Sequence, residues 1–197
     1  LLDNVMDEAL EGYGQHLAIT LDANGAVLAE DDGRGVPVVR HPESGKTTLE
    51  LVFTTLAACY CGCEGGAGHR RSLFGVGVSV INALSAWLSV ETSREGKLYR
   101  MRFERGKAVS ELECLGVSKA PGTRIHFLPD RSIFDADAEF DRGRLLEEFN
   151  GLAALAPGFV FELIDQRLSS VFAQKFHCPR GLGDLVQGLA EVPRLAL

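Results

Sequence analysis

The sequence predicts an α+β protein: a two-layer sandwich in which helices cover one mostly antiparallel sheet. Three observations lead there. Apolar residues recur at helical spacing near both ends of the chain. Strand-like alternation recurs around Trp87 to Thr92, Leu98 to Phe103, Ala108 to Cys114 and Thr123 to Leu128. Two charged turns, Arg94-Glu95-Gly96-Lys97 and Glu104-Arg105-Gly106-Lys107, join these patterns as a meander.

In chain order, Leu2, Val5, Met6, Ala9 and Leu10 fall at i, i+3, i+4, i+7 and i+8, so the chain opens in a helix with one stripe toward a core. Asp3, Asn4, Asp7 and Glu8 hold the other side. Leu1 offers the first amides no side-chain acceptor, and an N-terminally truncated fragment is the expectation. Leu17 to Leu21 and Ala26 to Glu30 flank Asn24-Gly25 and read as a hairpin. A helix from about Thr48 to Ala58 precedes a Gly- and Cys-rich loop, Cys59 to Ser72. Gly75 to Ala86 reads as a second apolar helix with Val76, Val80, Ile81 and Leu84 inward. After the meander, a helix at Arg142 to Leu155 stops before Pro157-Gly158, two strands follow, and Gly181 to Ala190 reads as a terminal helix.

A chain of 197 residues that is 46% hydrophobic can bury a full core as one domain. Lys and Arg number 20 against 27 Asp and Glu, a net charge of −7, which argues against a DNA-gripping surface over these residues, because counterion release needs clustered basic groups. No apolar run reaches the roughly 18 residues of a membrane span, and Leu1-Leu2-Asp3-Asn4 lacks the basic start of a signal peptide. A soluble cytoplasmic protein without a membrane partner is expected. Of the five cysteines, Cys59, Cys61 and Cys63 crowd together while Cys114 and Cys178 stand apart, which is no disulfide framework. With His69 the cluster suggests a soft-metal site, but its spacing matches no common zinc pattern, and a loop of free thiols is the expectation.

The chemistry concentrates at Glu30-Asp31-Asp32-Gly33-Arg34-Gly35-Val36-Pro37. Asp31, at a strand end before a sharp turn, is a carboxylate placed to accept from an exocyclic amine, and Gly33 and Gly35 leave room for a flat ring. Gly75-Val76-Gly77 opens a helix, where backbone amides favour an anion. Asn4 supplies a neutral oxygen for Mg²⁺, which takes its other ligands from water and phosphate. Ser44-Gly45-Lys46-Thr47 mimics the end of a P-loop. The first glycine of that motif would fall at Arg40, so Lys46 and Thr47 are assigned to a loop before the next helix.

Taken together these pieces resemble the ATP-binding domain of bacterial type II topoisomerase B subunits, gyrase B or the topoisomerase IV E subunit, within the wider group sharing the GHKL or Bergerat fold. The resemblance rests on Asp3-Asn4-Val5-Met6-Asp7-Glu8-Ala9, on Asp31-Asp32-Gly33-Arg34-Gly35-Val36-Pro37 with His41-Pro42-Glu43, on Leu73-Phe74-Gly75-Val76-Gly77-Val78-Ser79-Val80-Ile81-Asn82-Ala83-Leu84-Ser85, and on Gly122-Thr123, all in register. It implies that residues 1–178 form the ATP-binding domain and 179–197 begin the link to a transducer. It implies that Asn4 binds Mg²⁺ and phosphates, and that Asp31 accepts from the adenine amine with Thr123 supporting it through water. Glu8 and Arg34 would pair at the rim beside Gly35 and Pro37. Arg94 would lie at the outer edge, where aminocoumarins bind in relatives, and Gly75, Val76, Gly77 and Val78 would wrap the triphosphate. ATP binding would dimerise the domains and close a gate that captures DNA, the intact enzyme including an A-type subunit.

Departures from the family pattern set the alternative. The family's general base is a glutamate immediately before the residue matching Leu1, so no catalytic residue is expected within these residues, and the chain as given is expected to bind Mg·ATP weakly without turnover. The arm that crosses to the other protomer of the homodimer and the transducer lysine are also absent. Where relatives carry Gly-Gly-Lys, a lid tyrosine and Ser-Gly-Gly-Leu-His-Gly, this chain has Cys59-Tyr60-Cys61, Ala67 and Arg70-Arg71-Ser72-Leu73-Phe74-Gly75. The second function class is therefore a degenerate module that binds nucleotide or a protein partner without turnover.

Overall fold

The computed structural model describes residues 1–56, 76–135 and 137–190. The described elements are α1 (Leu2–Leu10), β1 (His16–Leu21), β2 (Val27–Asp31), α2 (Thr48–Thr54), α3 (Gly77–Ala83), β3 (Ser85–Arg94), β4 (Lys97–Glu104), β5 (Lys107–Ala108), β6 (Glu113–Val117), β7 (Gly122–Pro129), α4 (Arg142–Leu155), β8 (Val160–Asp165), β9 (Phe172–His177) and α5 (Leu182–Ala190). The strands form one sheet in the order β5-β4-β3-β7-β2-β1-β8-β9, with β6 also paired to β4. All pairings are antiparallel except β1 with β8. That parallel pair is possible because the meander and α4 lie between its strands and supply the long crossover a parallel connection needs.

Helices cover one face of the sheet over two apolar clusters. Val5 and Met6 of α1 and Phe149 and Ala153 of α4 pack on Leu17, Ile19, Phe161 and Leu163. Leu49 and Phe53 of α2 and Val78 of α3 pack on Leu88, Val90, Met101 and Phe103. Phe127 of β7 touches both clusters. The opposite face carries Glu30, Glu91 and Arg124, as expected of an antiparallel sheet with one wet side.

Local chemistry explains the boundaries. Asp141 caps α4 by accepting from the Arg144 amide at 3.2 Å. Thr47 caps α2, accepting from the Glu50 amide at 3.1 Å, while Lys46 pairs with Glu50 at 2.8 Å. The P-loop mimic is thus a helix cap. The β3–β4 and β4–β5 connections are two-residue turns whose non-glycine members, Glu95 and Arg105, both adopt positive φ (53° and 45°) before a glycine, the combination such hairpins favour.

Several expectations shift. Leu10 is 52% exposed, because at about 100° per residue it sits at the margin of the α1 stripe and the chain turns away at Gly12. The second helix stops at Thr54, since Thr55 is extended. The third runs only from Gly77 to Ala83, and Ser85 already belongs to β3. Val78, Ser79 and Asn82 are its buried residues, while Val80 and Leu84 remain exposed. Residues 108–114 are not one strand: β5 ends at Ala108, and β6 starts at Glu113.

Candidate nucleotide site

One rung of the sheet is polar where its neighbours are apolar. Asp31 pairs with Thr123 across β2–β7, and Thr123 pairs with Thr92 across β7–β3, so three polar side chains share the helix-side face at one level. The next inward-facing rung is Ala29, Ile125 and Val90. Alternation along each strand puts the polar group at the strand end, beside the turn that leaves β2.

Burial pushes the Asp31 carboxyl up to about 6; the amides of Gly33 and Thr123 pull it the other way, and the carboxylates of Glu8 and Asp32 add to the rise. The Gly33 amide donates to Asp31 Oδ1 at 3.0 Å, closing a local turn. The neighbouring carboxylate does different work: Asp32 Oδ1 accepts from the amides of Gln15 and His16 at 2.7 and 2.8 Å, which fastens the α1–β1 loop beside the site.

The chain after β2 forms a strap, residues 33–38, held at both margins. Toward α1, Arg34 Nε and Nη2 donate to Glu8 at 3.0 and 2.6 Å, Nη2 donates to Glu11 at 3.0 Å, and the guanidinium lies 3.7 Å over the Tyr13 ring. Burial alone would raise the Glu8 carboxyl; hydrogen bonds from the Arg34 side chain and amide, with the charges of Arg34 and Arg94, overcome it and hold the carboxyl below its usual range. The same pairing raises the Arg34 guanidinium, keeping it charged at any working pH.

Toward β3, Thr92 Oγ1 accepts from the Val36 amide at 2.7 Å and donates to the Val36 carbonyl at 3.2 Å, and Arg94 Nη1 donates to the Gly35 carbonyl at 2.8 Å. The contact is close enough to dictate residue type. Gly35 has φ +76°, and a Cβ there would stand 2.5 Å from the Ser93 carbonyl oxygen. Gly122 is similar: at φ +146° its Cβ would run into the Asp31 carbonyl oxygen, so a side chain would push β7 away from the rung.

Of the residues singled out from sequence, Glu8, Asp31, Arg34, Gly35, Arg94 and Thr123 come together directly through these bonds and pairings, and Pro37 follows on the strap. Asn4 stands half-buried in the first turn of α1. The start of α1 lies beside α3, with the Leu1 amino nitrogen 3.4 Å from the place a Cβ on Gly77 would take. Val76, at the α3 N-cap position, makes no side-chain cap, and Gly77 and Val78 form its first turn. Gly75, Cys59, Cys61, Cys63, His69, Arg70 and Arg71 lie outside the described residues. Among the described residues no group of three or more His, Cys, Asp or Glu could hold a metal ion.

Sequence reasoning missed Thr92, Glu11, Tyr13 and Asp32. Only Thr92 left a signal: it is the polar member of an inward series, Leu88, Val90, Thr92, and it is 0% exposed. An apolar cavity of about 400 Å³ lies apart from the rung, walled by Leu1, Ile19, Val27, Leu84, Phe134 and Phe149. It explains why Leu84 stays partly exposed.

No family model matches the chain. The B subunit of the type 2 topoisomerase of Aquifex aeolicus is 43% identical over 199 residues, covering 97% of this chain and 24% of that protein. The DNA gyrase B protein of Thermotoga maritima is 45% identical over 172 residues, covering 84% of this chain and 26% of that protein. The chain thus spans about a quarter of the length of these curated relatives. The crystal structure of the 43K ATPase domain of Thermus thermophilus gyrase B, in complex with an aminocoumarin, superposes with a TM-score of 0.82 at 34% identity, covering 97% of this chain and 48% of that one. A polar rung under a glycine strap, in a sheet of this topology and at this identity over nearly its whole length, makes the chain a member of the type II topoisomerase B subunits, in the region of their ATPase domain.

Proposed function

We propose that residues 1–178 bind Mg·ATP in the pocket bounded by Asp31, the strap and the N-terminal turns of α1 and α3, with residues 179–197 opening the link to a transducer. The observation that carries this reading is Asp31 itself: a half-buried carboxylate with one oxygen tied to the Gly33 amide and its charge costly to keep without a donor. The adenine amine is such a donor, and a guanine carbonyl in its place would be repelled. Thr123 sits opposite Asp31 to share that contact through water. Glu8 holds the Arg34 guanidinium flat at the rim, beside Gly35 and Pro37, and Arg94 borders the outer edge.

The phosphates belong at the other end, where Val76, Gly77 and Val78 supply backbone amides with no side-chain cap, and Gly75 precedes them. Asn4 would offer one oxygen to Mg²⁺, which would supply charge neutralisation to the phosphates that it takes, with water, as its other ligands. In the intact protein, nucleotide binding closes a homodimeric gate during ATP-dependent DNA supercoiling or decatenation, with an A-type subunit, in the cytoplasm. No helix among the described residues is long and apolar enough to cross a membrane.

The test is calorimetry of ATP and GTP against this chain and Asp31→Asn. ATP is expected to bind and GTP to bind far more weakly. Removing the charge-assisted acceptor is expected to cost about 1.5–3 kcal/mol, or roughly 10- to 150-fold in ATP affinity. Equal affinities for the two nucleotides, or an unchanged ATP affinity in the variant, would overturn the assignment.

A further inference from the structure

We infer that Thr92 is a positioning residue for nucleotide binding: its hydroxyl fixes the strap that walls the adenine pocket. This rests on the reading of the pocket given above. Thr92 shares the polar rung with Asp31 and Thr123, yet its hydroxyl is turned to another partner. That single oxygen accepts from the Val36 amide at 2.7 Å and donates to the Val36 carbonyl at 3.2 Å, so both backbone groups of one strap residue close on one side chain 56 positions away. The arrangement is fully buried at Thr92.

A strap passing over a sheet end has no ladder of its own, and its buried amides need partners supplied from elsewhere. Thr92 supplies the central one, and Arg94 supplies the next by donating to the Gly35 carbonyl at 2.8 Å. Gly35 makes the close approach possible, since a Cβ there would also stand 2.9 Å from Thr92 Oγ1. Strap height over the rung is therefore set by Thr92, and with it the space that the proposed pocket leaves a planar base. Serine keeps the hydroxyl; valine keeps the shape and removes both bonds, leaving the Val36 amide without its acceptor.

The experiment compares Thr92→Val and Thr92→Ser with the parent chain by two measurements. Hydrogen exchange of the Val36 amide reads the strap without any nucleotide, and calorimetry with ATP reads the pocket. Thr92→Val is expected to lose protection at Val36 and to bind ATP about 5- to 20-fold more weakly. Thr92→Ser is expected to restore most of both, which a loss of packing at the β-branched methyl would not do. An equally protected Val36 amide in Thr92→Val, or lost protection with unchanged ATP affinity, would overturn the inference while leaving the pocket reading intact. A parent chain that protects Val36 but binds no ATP would overturn the pocket reading and this inference with it.

Discussion

At the scale of single residues, the site is governed by one carboxyl held against its preference. Asp31 titrates at about 6 in the folded chain against 3.8 when free, so between those values the folded state binds more protons than the unfolded state. Stability contributed by this group is therefore fully present below about pH 3.8, is lost as pH rises through about 6, by about 3 kcal/mol over the whole span, and then stays level. Asp31→Asn removes the titration, so its stability relative to the parent is expected to improve by about that amount between pH 4 and pH 7. Urea unfolding at the two pH values measures it, and a difference that does not change with pH would show an unperturbed carboxyl. On the proposed role of Asp31, ligand binding runs the opposite way, because the ionised carboxylate is the stronger acceptor for a donor amine. At pH 5 only about a tenth of Asp31 is ionised, so ATP affinity is expected to drop roughly tenfold from its value at pH 7. A carboxylate at a strand end, followed by Gly33 and Gly35, was visible in the sequence because both the strand pattern and the glycine-marked turn are local signals. The pairing of Arg34 with Glu8 was expected from the family resemblance, but its contacts with Glu11 and Tyr13 and the role of Thr92 were not visible, since a threonine in a strand is ordinary until its long-range partner is known.

At the scale of elements, α2 and α3 hold the two flanks of residues 57–75, and one side chain joins them. Asn82, 0% exposed, donates through Nδ2 to the Phe53 carbonyl at 2.8 Å. Phe53 lies in the last turn of α2, where carbonyls have no partner within the helix. Asn82→Ala removes that partner and leaves a gap in a dense core, and a loss of about 2–3 kcal/mol in urea unfolding is expected. A loss under about 0.5 kcal/mol, a typical surface value, would mean that the helices are joined by packing alone. Legibility followed the range of the causes. The bounds of α4 were readable because Asp141 caps one end and Pro157-Gly158 follows the other, both local signals. The end of α3 was misread because Ser85 is drawn into β3 by pairing with Pro129, a contact 44 positions away. The parallel β1–β8 pair was invisible for the same reason: its register depends on partners more than 140 positions apart.

At the scale of the whole molecule, the distribution of charge decides what the domain can touch. The net charge is −7, and several basic residues of the outer sheet face are paired with carboxylates. Arg124 meets Glu30 at 3.1 Å and Glu91 at 3.7 Å, Arg100 meets Glu113 at 2.8 Å, and Lys175 meets Glu162 at 3.4 Å. A duplex docking there would have to displace those carboxylates, and few counterions would be released in exchange, although that release supplies most non-specific affinity. This chain alone is expected to show no saturable binding to a 20–30 base-pair duplex at about 150 mM salt up to tens of micromolar, where even ordinary non-specific binders begin to saturate. Fluorescence anisotropy at 50 and 150 mM salt checks it. Micromolar binding that weakens steeply between the two would reveal a basic surface that the paired charges conceal and would give this domain a direct part in holding DNA.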